Sequence, residues 1–467
     1  MLFETAESTI FFWLVVGAVT LFAVLIHTIR SPKRTLGFPM AMMFALAVMH
    51  IAAGVHLIPG YFHQYDPYLN AIGYTRDSVA KGLQVSTIGF VMMALGIWLM
   101  TYLSDNRNVD FDAGRIPAQF LRLAQKTVLI IGLIFFLGIT FVPSVAQIPT
   151  IGAVIVSGKN LLVVGICLSI LRRVWLKQGM TMWQIAGISI MIPVANLLGN
   201  AILADAVSAI IIIGCFWLAI AGRHFGVARM LVSILLAGYI FLYLSTNYLL
   251  TRGQFRDVVW EPTSTLSERV DGLVNAISQF GPLSSDDQKQ LYVLDSRLNQ
   301  SLYTGMAIEK FEAQPDTFEN GATLLAGLFA FVPRAIWTNK PVRGGSQFVS
   351  EHTGYQASAE TTFGIGPFFE FYANFAMFGV LLFSFLMGMF VRYLDMRAFR
   401  ALAEGRMAEA IPLTSGLVAF IQPLSNASSL FSTFYASLVI GFLIVKFMER
   451  YLDIQLFAEQ QRRSRKA

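Results

Sequence analysis

Positively charged side chains at the edge of a short apolar run are the residues of this chain best suited to chemistry. The run begins near residue 320, is too short to cross a bilayer and ends at Pro333, and Arg334, Lys340 and Arg343 follow within ten residues. Arginine offers a planar fork to phosphate oxygens, and lysine offers a compact charge. A bilayer expels such groups unless they have a partner or a function there. The cluster therefore predicts a phosphate-bearing ligand, with snorkelling toward lipid head groups as the alternative.

Candidate proton acceptors lie at the same predicted membrane boundary. They are the side chains of Glu370, Glu360 and His352, each of which can take up a proton. Each could reach a pocket lined by the cations. The alternative makes Glu370 a buried partner between helices and His352 an ordinary loop residue.

Composition assigns the chain to the membrane proteins. It is 55% hydrophobic and 13% charged, with a mean hydropathy of +0.61. Soluble domains carry about twice that share of charged residues, so most of this chain must be solvated by lipid. We predict an all-α polytopic membrane protein. Cys167 and Cys215 lie in apolar runs, where cysteines pack as small hydrophobic residues and indicate no disulfide.

Hydropathy predicts about eleven transmembrane helices of roughly twenty residues each. Their approximate limits are 8–28, 36–58, 82–104, 126–144, 150–171, 180–199, 201–221, 228–249, 365–391, 408–423 and 427–447. Lys and Arg concentrate in alternate loops, as Arg392, Arg397, Arg400 and Arg406 do after the ninth span, and in the C-terminal tail. This bias places the N-terminus outside and the C-terminus inside. The long segment 250–364 is then external. No Lys or Arg precedes the first apolar run, so we interpret it as a retained span and not as a secretory signal.

Three predicted domains follow from these spans. Residues 1–249 form an N-terminal transmembrane bundle, residues 250–364 a large external loop, and residues 365–467 the C-terminal helices and a basic tail. The loop holds nine Lys and Arg residues against thirteen Asp and Glu residues, whereas the whole chain carries a net charge of +6. The basic balance therefore orients the chain in the membrane and does not indicate nucleic acid as a partner.

Two amphipathic helices are predicted within the external loop. The first begins at a capping box of Thr265 and Glu268. The second begins near Asp286 and Asp287, which we interpret as helix N-terminal charges and not as metal ligands, and its leucine stripe runs to Leu302. These helices either lie on the bilayer surface or cover the mouth of a cavity.

Polar residues within the predicted spans lie mostly in the outer halves, as His56, Asn196 and Asn374 do. The inner halves contain chiefly His27 and Gln184. A polar group in hydrocarbon is unfavourable unless it faces protein or water. The bias predicts a polar cavity that is open to the outside and closed toward the cytoplasm.

One segment reproduces a motif of a known family. The sequence FVPRAIWTNKP at 331–341 contains a P-R-x-x-W-x-x-K-P pattern formed by Pro333, Arg334, Trp337, Lys340 and Pro341. In this respect the chain resembles the Wzy-type bacterial polymerases, which join the repeat units of O-antigen and exopolysaccharide.

A second segment supports the same resemblance with two departures. The sequence GIGPFFEFYANFAMFGV at 364–380 is similar to the G-E-x-x-x-N-F-G element of that family through Glu370, Asn374 and Phe375. Phe369 and Ala376 stand where the family pattern has glycine. The strong part of the resemblance covers about sixty residues, and the remaining spans match in topology only.

The resemblance implies a reaction and its partners. An all-helical protein of the bacterial inner membrane, with its N-terminus periplasmic and its C-terminus cytoplasmic, would join two undecaprenyl-pyrophosphate-linked oligosaccharides, one as donor and one as acceptor. The transfer would be inverting and would use no metal, cofactor or nucleotide sugar, in keeping with a sequence that has no metal-spaced cluster of His, Asp and Glu residues. Membrane lipids, a flippase and a chain-length regulator are the other expected partners.

The resemblance also implies residue roles. Arg334 would neutralise the pyrophosphate leaving group, and Glu370, Glu360 or His352 would accept the proton of the acceptor hydroxyl. The implied substrate-binding residues are Lys340, Arg343, Arg256, Asn374, Tyr372 and Trp337.

Two other functions stay open. A ligase that moves finished glycan to a lipid or protein acceptor would share the donor chemistry. A transporter of lipid-linked glycans belongs to a different class and would expose its cavity to both sides of the membrane, which predicts as many polar residues in the inner halves of the spans as in the outer halves.

Overall fold

A computed structural model describes residues 5–31, 35–61, 74–104, 118–141, 151–222, 226–332, 336–337, 345–355 and 364–451. Every regular element within these ranges is a helix. The α-helices are α1 (Ala6–Arg30), α2 (Phe38–Val48), α3 (Arg76–Leu103), α4 (Ala118–Phe141), α5 (Ile151–Gly158), α6 (Asn160–Trp175), α7 (Met182–Asn200), α8 (Ala204–Ala221), α9 (Val227–Trp260), α10 (Leu266–Ser278), α11 (Gln288–Leu298), α12 (Gln300–Ala313), α13 (Ala322–Leu328), α14 (Gly345–Thr353), α15 (Gly366–Ala403), α16 (Met407–Phe420) and α17 (Ala427–Tyr451). Two short 3-10 helices, Ile51–Leu57 and Pro315–Thr317, accompany them.

Nine helical stretches within the described ranges are long and apolar enough to cross a membrane. They correspond to the first six predicted spans and to the eighth, ninth and eleventh. Two shorter apolar helices, Ala206–Ala221 and Met407–Phe420, correspond to the seventh and tenth. The prediction of an all-α polytopic membrane protein is confirmed.

The long helix α3 packs against α1, α12 and α15. Gly82 approaches α12 so closely that a Cβ atom there would meet the carbonyl oxygen of Ser301 at 1.9 Å, and Gly305 of α12 approaches Ser78 in the same way. Gly96 allows a similar approach to α15. Small residues let helix backbones meet closely in a membrane. Because of these contacts, α12 belongs to the bundle although it lies within the segment predicted to be a loop.

The 250–364 segment differs in part from the two predicted amphipathic helices. The first is α10, and its capping box of Thr265 and Glu268 is confirmed. The second ends at Asn299, and the chain restarts as α12, in which residues 300–308 are all buried. The prediction of one amphipathic stripe through Leu302 was therefore wrong, because the predicted helix ends at Leu298 and residues 300–308 of α12 are buried on all sides. The predicted boundary at 249/250 also falls inside a helix, because α9 continues to Trp260.

The apolar stripe of α10 is left uncovered. Val274, Leu266 and Ile277 are each more than half exposed, whereas Ala276 on the side that faces α9 is buried. Of the two predicted placements, this exposure favours the helix lying on the bilayer surface.

Helix α15 is interrupted near its start. Phe375 and Ala376 have non-helical backbone angles, and Ala376 lies at φ 50° and ψ −145°. The break divides the helix into residues 366–374 and 377–403. A non-glycine residue at positive φ is uncommon and persists only where its surroundings impose the conformation. Ala376 stands where the resembled family pattern has glycine, the residue that this conformation favours.

The far end of α15 carries a buried ion pair between Arg392 and Asp395. The ninth predicted span ended at residue 391, so Arg392 was predicted to lie in a loop. For Arg392 that assignment was wrong, because the helix continues to Ala403 and the Arg392 side chain is 3% exposed.

Candidate functional site

Glu370 lies in the first part of α15 and is 1% exposed. Its Oε2 accepts a hydrogen bond of 2.6 Å from the backbone N–H of Ala427, the first residue of α17. The side chain of Thr323, at the start of α13, also hydrogen-bonds to the carboxyl group. The N-terminus of a helix carries partial positive charge, so α17 stabilises a carboxylate at this position. Within the described residues no Lys or Arg forms an ion pair with Glu370.

Asn374 joins the same group one turn later. Its Nδ2 donates to Thr323 Oγ1 at 2.7 Å and to the Glu370 carbonyl oxygen at 2.7 Å. Its Oδ1 is buried and accepts no hydrogen bond from the part of the chain that the structure describes. Buried polar atoms are nearly always satisfied, so an orphaned acceptor beside a helix break marks a place where a ligand hydroxyl could bind. Thr323 thus connects the two side chains that the sequence singled out.

The chain just before Pro333, which precedes Arg334, Lys340 and Arg343 in sequence, runs along α17. The hydroxyl of Tyr435 donates to the carbonyl oxygen of Leu328 at 3.1 Å, and the ring of Phe331 packs edge-on against Tyr435 with 5.4 Å between centroids. Tyr435 lies eight residues after Ala427 on the same helix, or ~12 Å along its axis at ~1.5 Å per residue. The last described residues before Pro333 therefore lie on the helix whose N-terminus holds Glu370.

Four predicted site residues lie outside the described residues, namely Arg334, Lys340, Arg343 and Glu360. Trp337 is described and half-buried.

His352 occupies a different environment from Glu370. It is 4% exposed, its Nε2 lies 2.9 Å from Glu319 Oε1, and its ring packs edge-on against Phe348. Glu319 in turn donates its backbone N–H to the carbonyl oxygen of Ala373 on α15. His352 therefore lies beside α15 but has Glu319, and not Glu370, as its acidic neighbour.

Tyr372 belongs to the same aromatic surroundings as His352. Its ring centroid is 6.1 Å from that of Phe311 and 6.3 Å from that of Phe318. Side chains two residues apart on a helix point in directions that differ by about 200°. Tyr372 and Glu370 therefore point to opposite sides of α15. The structure thus separates Tyr372 and His352 from the group of Glu370 and Asn374.

One set of side chains near His352 has the composition of a metal site. Ligand atoms of Glu319, Glu351 and His352 all lie within 4.8 Å of one another. No metal site was predicted, because no His, Asp and Glu residues have metal-ligand spacing along the sequence. Three groups, one of them exposed, fall short of the four ligands of a closed structural site.

Arg256 lies away from these residues, on the C-terminal extension of α9. Its guanidinium carbon is 4.3 Å from the centre of the Trp260 ring. Arg252 and Arg297 are near enough for their charges to act on it or on each other. Helix α9 packs against α7, α10 and α11, whereas Glu370 is held by residues of α13 and α17. Within the described residues no hydrogen bond or ion pair joins Arg256 to Glu370.

Sequence reasoning missed a buried carboxylate in α11. Asp295 is 2% exposed and bonds His56 Nε2 at 3.0 Å, the Tyr61 hydroxyl at 2.9 Å and Asn299 Nδ2 at 2.7 Å, with the Tyr74 hydroxyl as a further donor. Burial alone would raise the pKa of Asp295, but the hydrogen bonds and the charge of His56 outweigh it and hold this pKa below its ordinary value. No local pattern pairs residues so distant in sequence, although His56 had been noted as a polar residue in an apolar span.

Comparisons of the chain with protein-family models, with curated proteins and with solved structures find no match. The resemblance of segments 331–341 and 364–380 to the Wzy-type polymerases therefore stays a prediction.

Proposed function

We propose that the protein is a membrane-integral glycosyltransferase that polymerises oligosaccharide repeat units carried on undecaprenyl pyrophosphate. The reaction takes place at the membrane surface on the side of the 250–364 segment, which the distribution of Lys and Arg predicts to be external. The resemblance to the Wzy-type polymerases implies that this side is the periplasm of a bacterial inner membrane. The observation that carries the proposal is the buried carboxylate of Glu370 at the break in α15, without a cationic partner among the described residues.

The proposed role of Glu370 is that of general base. The acceptor sugar hydroxyl attacks the anomeric carbon of the donor, the bond from that carbon to the pyrophosphate oxygen breaks, and the lipid pyrophosphate leaves with the electron pair. Glu370 takes the hydroxyl proton, since none of the described Lys and Arg residues forms an ion pair with its carboxylate. Asn374 supplies an acceptor for a second sugar hydroxyl through its unpaired Oδ1.

Arg334, Lys340 and Arg343 are proposed to bind the departing pyrophosphate. Guanidinium and ammonium groups stabilise the negative charge that develops as the glycosidic bond breaks. The support is the course of the chain before Pro333, which follows α17 from the level of Glu370.

A transporter of lipid-linked glycans is the second candidate, and one observation favours it. Helix α15 is broken at Phe375 and Ala376. Discontinuous helices of this kind bind substrates in secondary transporters.

The test uses a strain that lacks the chain and is complemented with variants, with surface glycan scored by ladder length. We expect Glu370→Gln, Arg334→Ala and Lys340→Ala to lose long chains while single repeats persist. Glu261→Gln is the matched control, because Glu261 is exposed and lies outside the site. A ligase would lose single repeats as well, and a transporter would leave the lipid-linked repeat on the cytoplasmic leaflet. A full ladder with Glu370→Gln would contradict the proposal.

A further inference from the structure

Helices α4 and α6 form a close antiparallel pair. A Cβ atom on Gly132 would lie 2.2 Å from the backbone nitrogen of Leu162, and one on Gly165 would lie 2.6 Å from the Cα atom of Leu129. Small residues allow helix backbones to approach this closely in a membrane. As the contact moves forward by one turn on α6 it moves back by one turn on α4, so the two helices run in opposite directions.

The same register brings basic residues together at one end of the pair. Gln125 on α4 donates a hydrogen bond of 3.0 Å to the Ser169 hydroxyl on α6, and its Oε1 accepts one of 2.7 Å from Nη1 of Arg172. Arg122 and Lys126 are four residues apart on α4 and so share one face of that helix. These two side chains and Arg172 line one cavity of about 640 Å³, together with the first turn of α7. Three positive charges therefore share this cavity.

Arg172 is the buried member of the three. It is 6% exposed, and its Nε has no hydrogen-bond partner within the part of the chain that the structure describes. No Asp or Glu occurs in the sequence between Asp112 and Asp205, so α4, α6 and α7 carry no carboxylate that could compensate the charge. A buried cation without a counter-charge is unfavourable. An anion bound in the cavity would supply that counter-charge.

An apolar surface on α4 continues from the cavity. Ile130 lines the cavity itself, and Leu133, Ile134 and Leu137 follow at helical spacing on the face where Lys126 lies. Each of these four apolar side chains is more than 40% exposed, as expected for a surface in contact with acyl chains. A ligand that joins an anionic head to apolar chains fits both parts, whereas a free phosphate compound fits the cavity alone.

The charges indicate the kind of head group. Arg172 holds one positive charge out of water, whereas Arg122 and Lys126 are exposed and their charges are screened. A phosphodiester brings one negative charge, and its oxygens match the guanidinium fork. A zwitterionic head group also carries an ammonium group, which the exposed cations repel.

We propose that the cavity between α4, α6 and α7 binds an anionic phospholipid with a phosphodiester head group, such as phosphatidylglycerol. Basic cavities between transmembrane helices are suited to lipid head groups of this charge. The site is built from other helices than those that hold Glu370, and it does not depend on the proposed glycosyl transfer.

Binding is measured by native mass spectrometry of the full chain in detergent micelles that contain one added lipid. The probes are dioleoyl phosphatidylglycerol and dioleoyl phosphatidylcholine, and the competitor is glycerophosphoglycerol, which is the first head group without acyl chains. We expect phosphatidylglycerol to bind at least about tenfold more tightly than phosphatidylcholine and to resist a large excess of the competitor. Arg172→Ala should weaken phosphatidylglycerol binding at least about tenfold, as loss of a charge-assisted hydrogen bond predicts, and Arg172→Lys should weaken it less.

The matched control is Arg173→Ala, because Arg173 is the next residue of α6, carries the same charge and does not line the cavity. An equal loss of phosphatidylglycerol binding in Arg173→Ala would reduce the effect to net charge and overturn the proposal. Equal affinity for phosphatidylcholine would overturn the selection for an anionic lipid. Displacement by glycerophosphoglycerol would show that a free phosphodiester is the ligand and would overturn the role of the lipid.

A second variant keeps the test decisive if thermal unfolding shows that Arg172→Ala is not folded. The double substitution Arg122→Ala and Lys126→Ala changes two exposed side chains and should weaken phosphatidylglycerol binding at least about threefold. Unchanged binding in this folded variant would overturn the proposal. Glu370→Gln should leave phosphatidylglycerol binding unchanged, so failure of this site and failure of the proposed reaction are distinguishable.

Discussion

The two ends of α15 each bury a carboxylate, and they stabilise it differently. Asp395 is 0% exposed and is paired with the Arg392 guanidinium at 2.9 Å, and its oxygens also accept the Thr35 hydroxyl at 2.5 Å and the backbone N–H of Leu36 at 3.1 Å. Glu370 is equally buried but is held by one backbone N–H and the Thr323 hydroxyl.

The backbone conformation also differs between the two ends of α15. The chain around Asp395 is a regular helix, whereas α15 is broken at Ala376 within two turns of Glu370. A carboxylate that is paired with a cation has a structural role, and its charge is already neutralised. A carboxylate that lacks a cation beside a distorted backbone is available for proton chemistry. Burial alone therefore does not distinguish a carboxylate with a structural role from one that is available for proton transfer.

The largest effect on the free energy of unfolding is expected at the end of α15 that holds Asp395. Arg392→Met leaves Asp395 buried without its cation, which should lower the free energy of unfolding by about 3–5 kcal/mol. Thermal unfolding of the purified protein measures it. Lys446→Met, which removes an exposed ion pair with Glu449, should change stability by about 1 kcal/mol or less. Equal effects of the two substitutions would remove the contrast between the ends of α15.

A pH dependence is expected from Asp295, a third buried carboxylate. Its pKa is lower in the folded state than the ordinary value of 3.8, so the unfolded state binds more protons as the pH falls through that value, and stability declines. The stabilisation is present at pH 7 and is lost as the pH falls toward the folded-state pKa.

Asp295→Asn should lower stability at pH 7 by about 1–3 kcal/mol and flatten the decline below pH ~5. Tyr61→Phe is the control, because it removes one donor at 2.9 Å and keeps the titrating group. Identical acid slopes for the wild type and Asp295→Asn would show that other groups dominate.

The smallest effect is expected at the break itself. Ala376→Gly relieves a positive φ and should raise the free energy of unfolding by about 1 kcal/mol. Ala373→Gly, one turn earlier in regular helix, should lower it by about 1 kcal/mol. If both substitutions destabilise the protein, the backbone is not strained at Ala376.

Much of the fold follows from the sequence because lipid leaves few alternatives. Long apolar runs must be helices, and the capping box of Thr265 and Glu268 marks a helix start that side-chain hydrogen bonds confirm. The burial of α12 could not be predicted from periodicity, since it depends on Gly82 and Gly305 matching each other across a helix pair. Arg392 was placed in a loop because a single charged residue resembles the end of a span, and its partner Asp395 is informative only once the helix is known to continue.

The candidate site was predicted less completely than the fold. Glu370 and Asn374 were found through their resemblance to a family element, and they do lie together. Thr323 and Ala427, which hold them, are separated from α15 by tens of residues and carry no signal of their own. Arg256 was grouped with Glu370 because both were expected outside the membrane, a criterion that does not distinguish one surface pocket from another.

In the proposed reaction Glu370 accepts the proton of the sugar acceptor at the break in α15. The most direct measurement is the rate of chain formation by purified protein in nanodiscs supplied with a synthetic lipid-linked repeat, for the wild type and for Glu370→Gln. The amide can still accept the Ala427 N–H, so stability should change by no more than about 1 kcal/mol. The rate should fall at least about a hundredfold, as loss of a general base predicts. A well-folded Glu370→Gln protein that forms chains at the wild-type rate would contradict the claim.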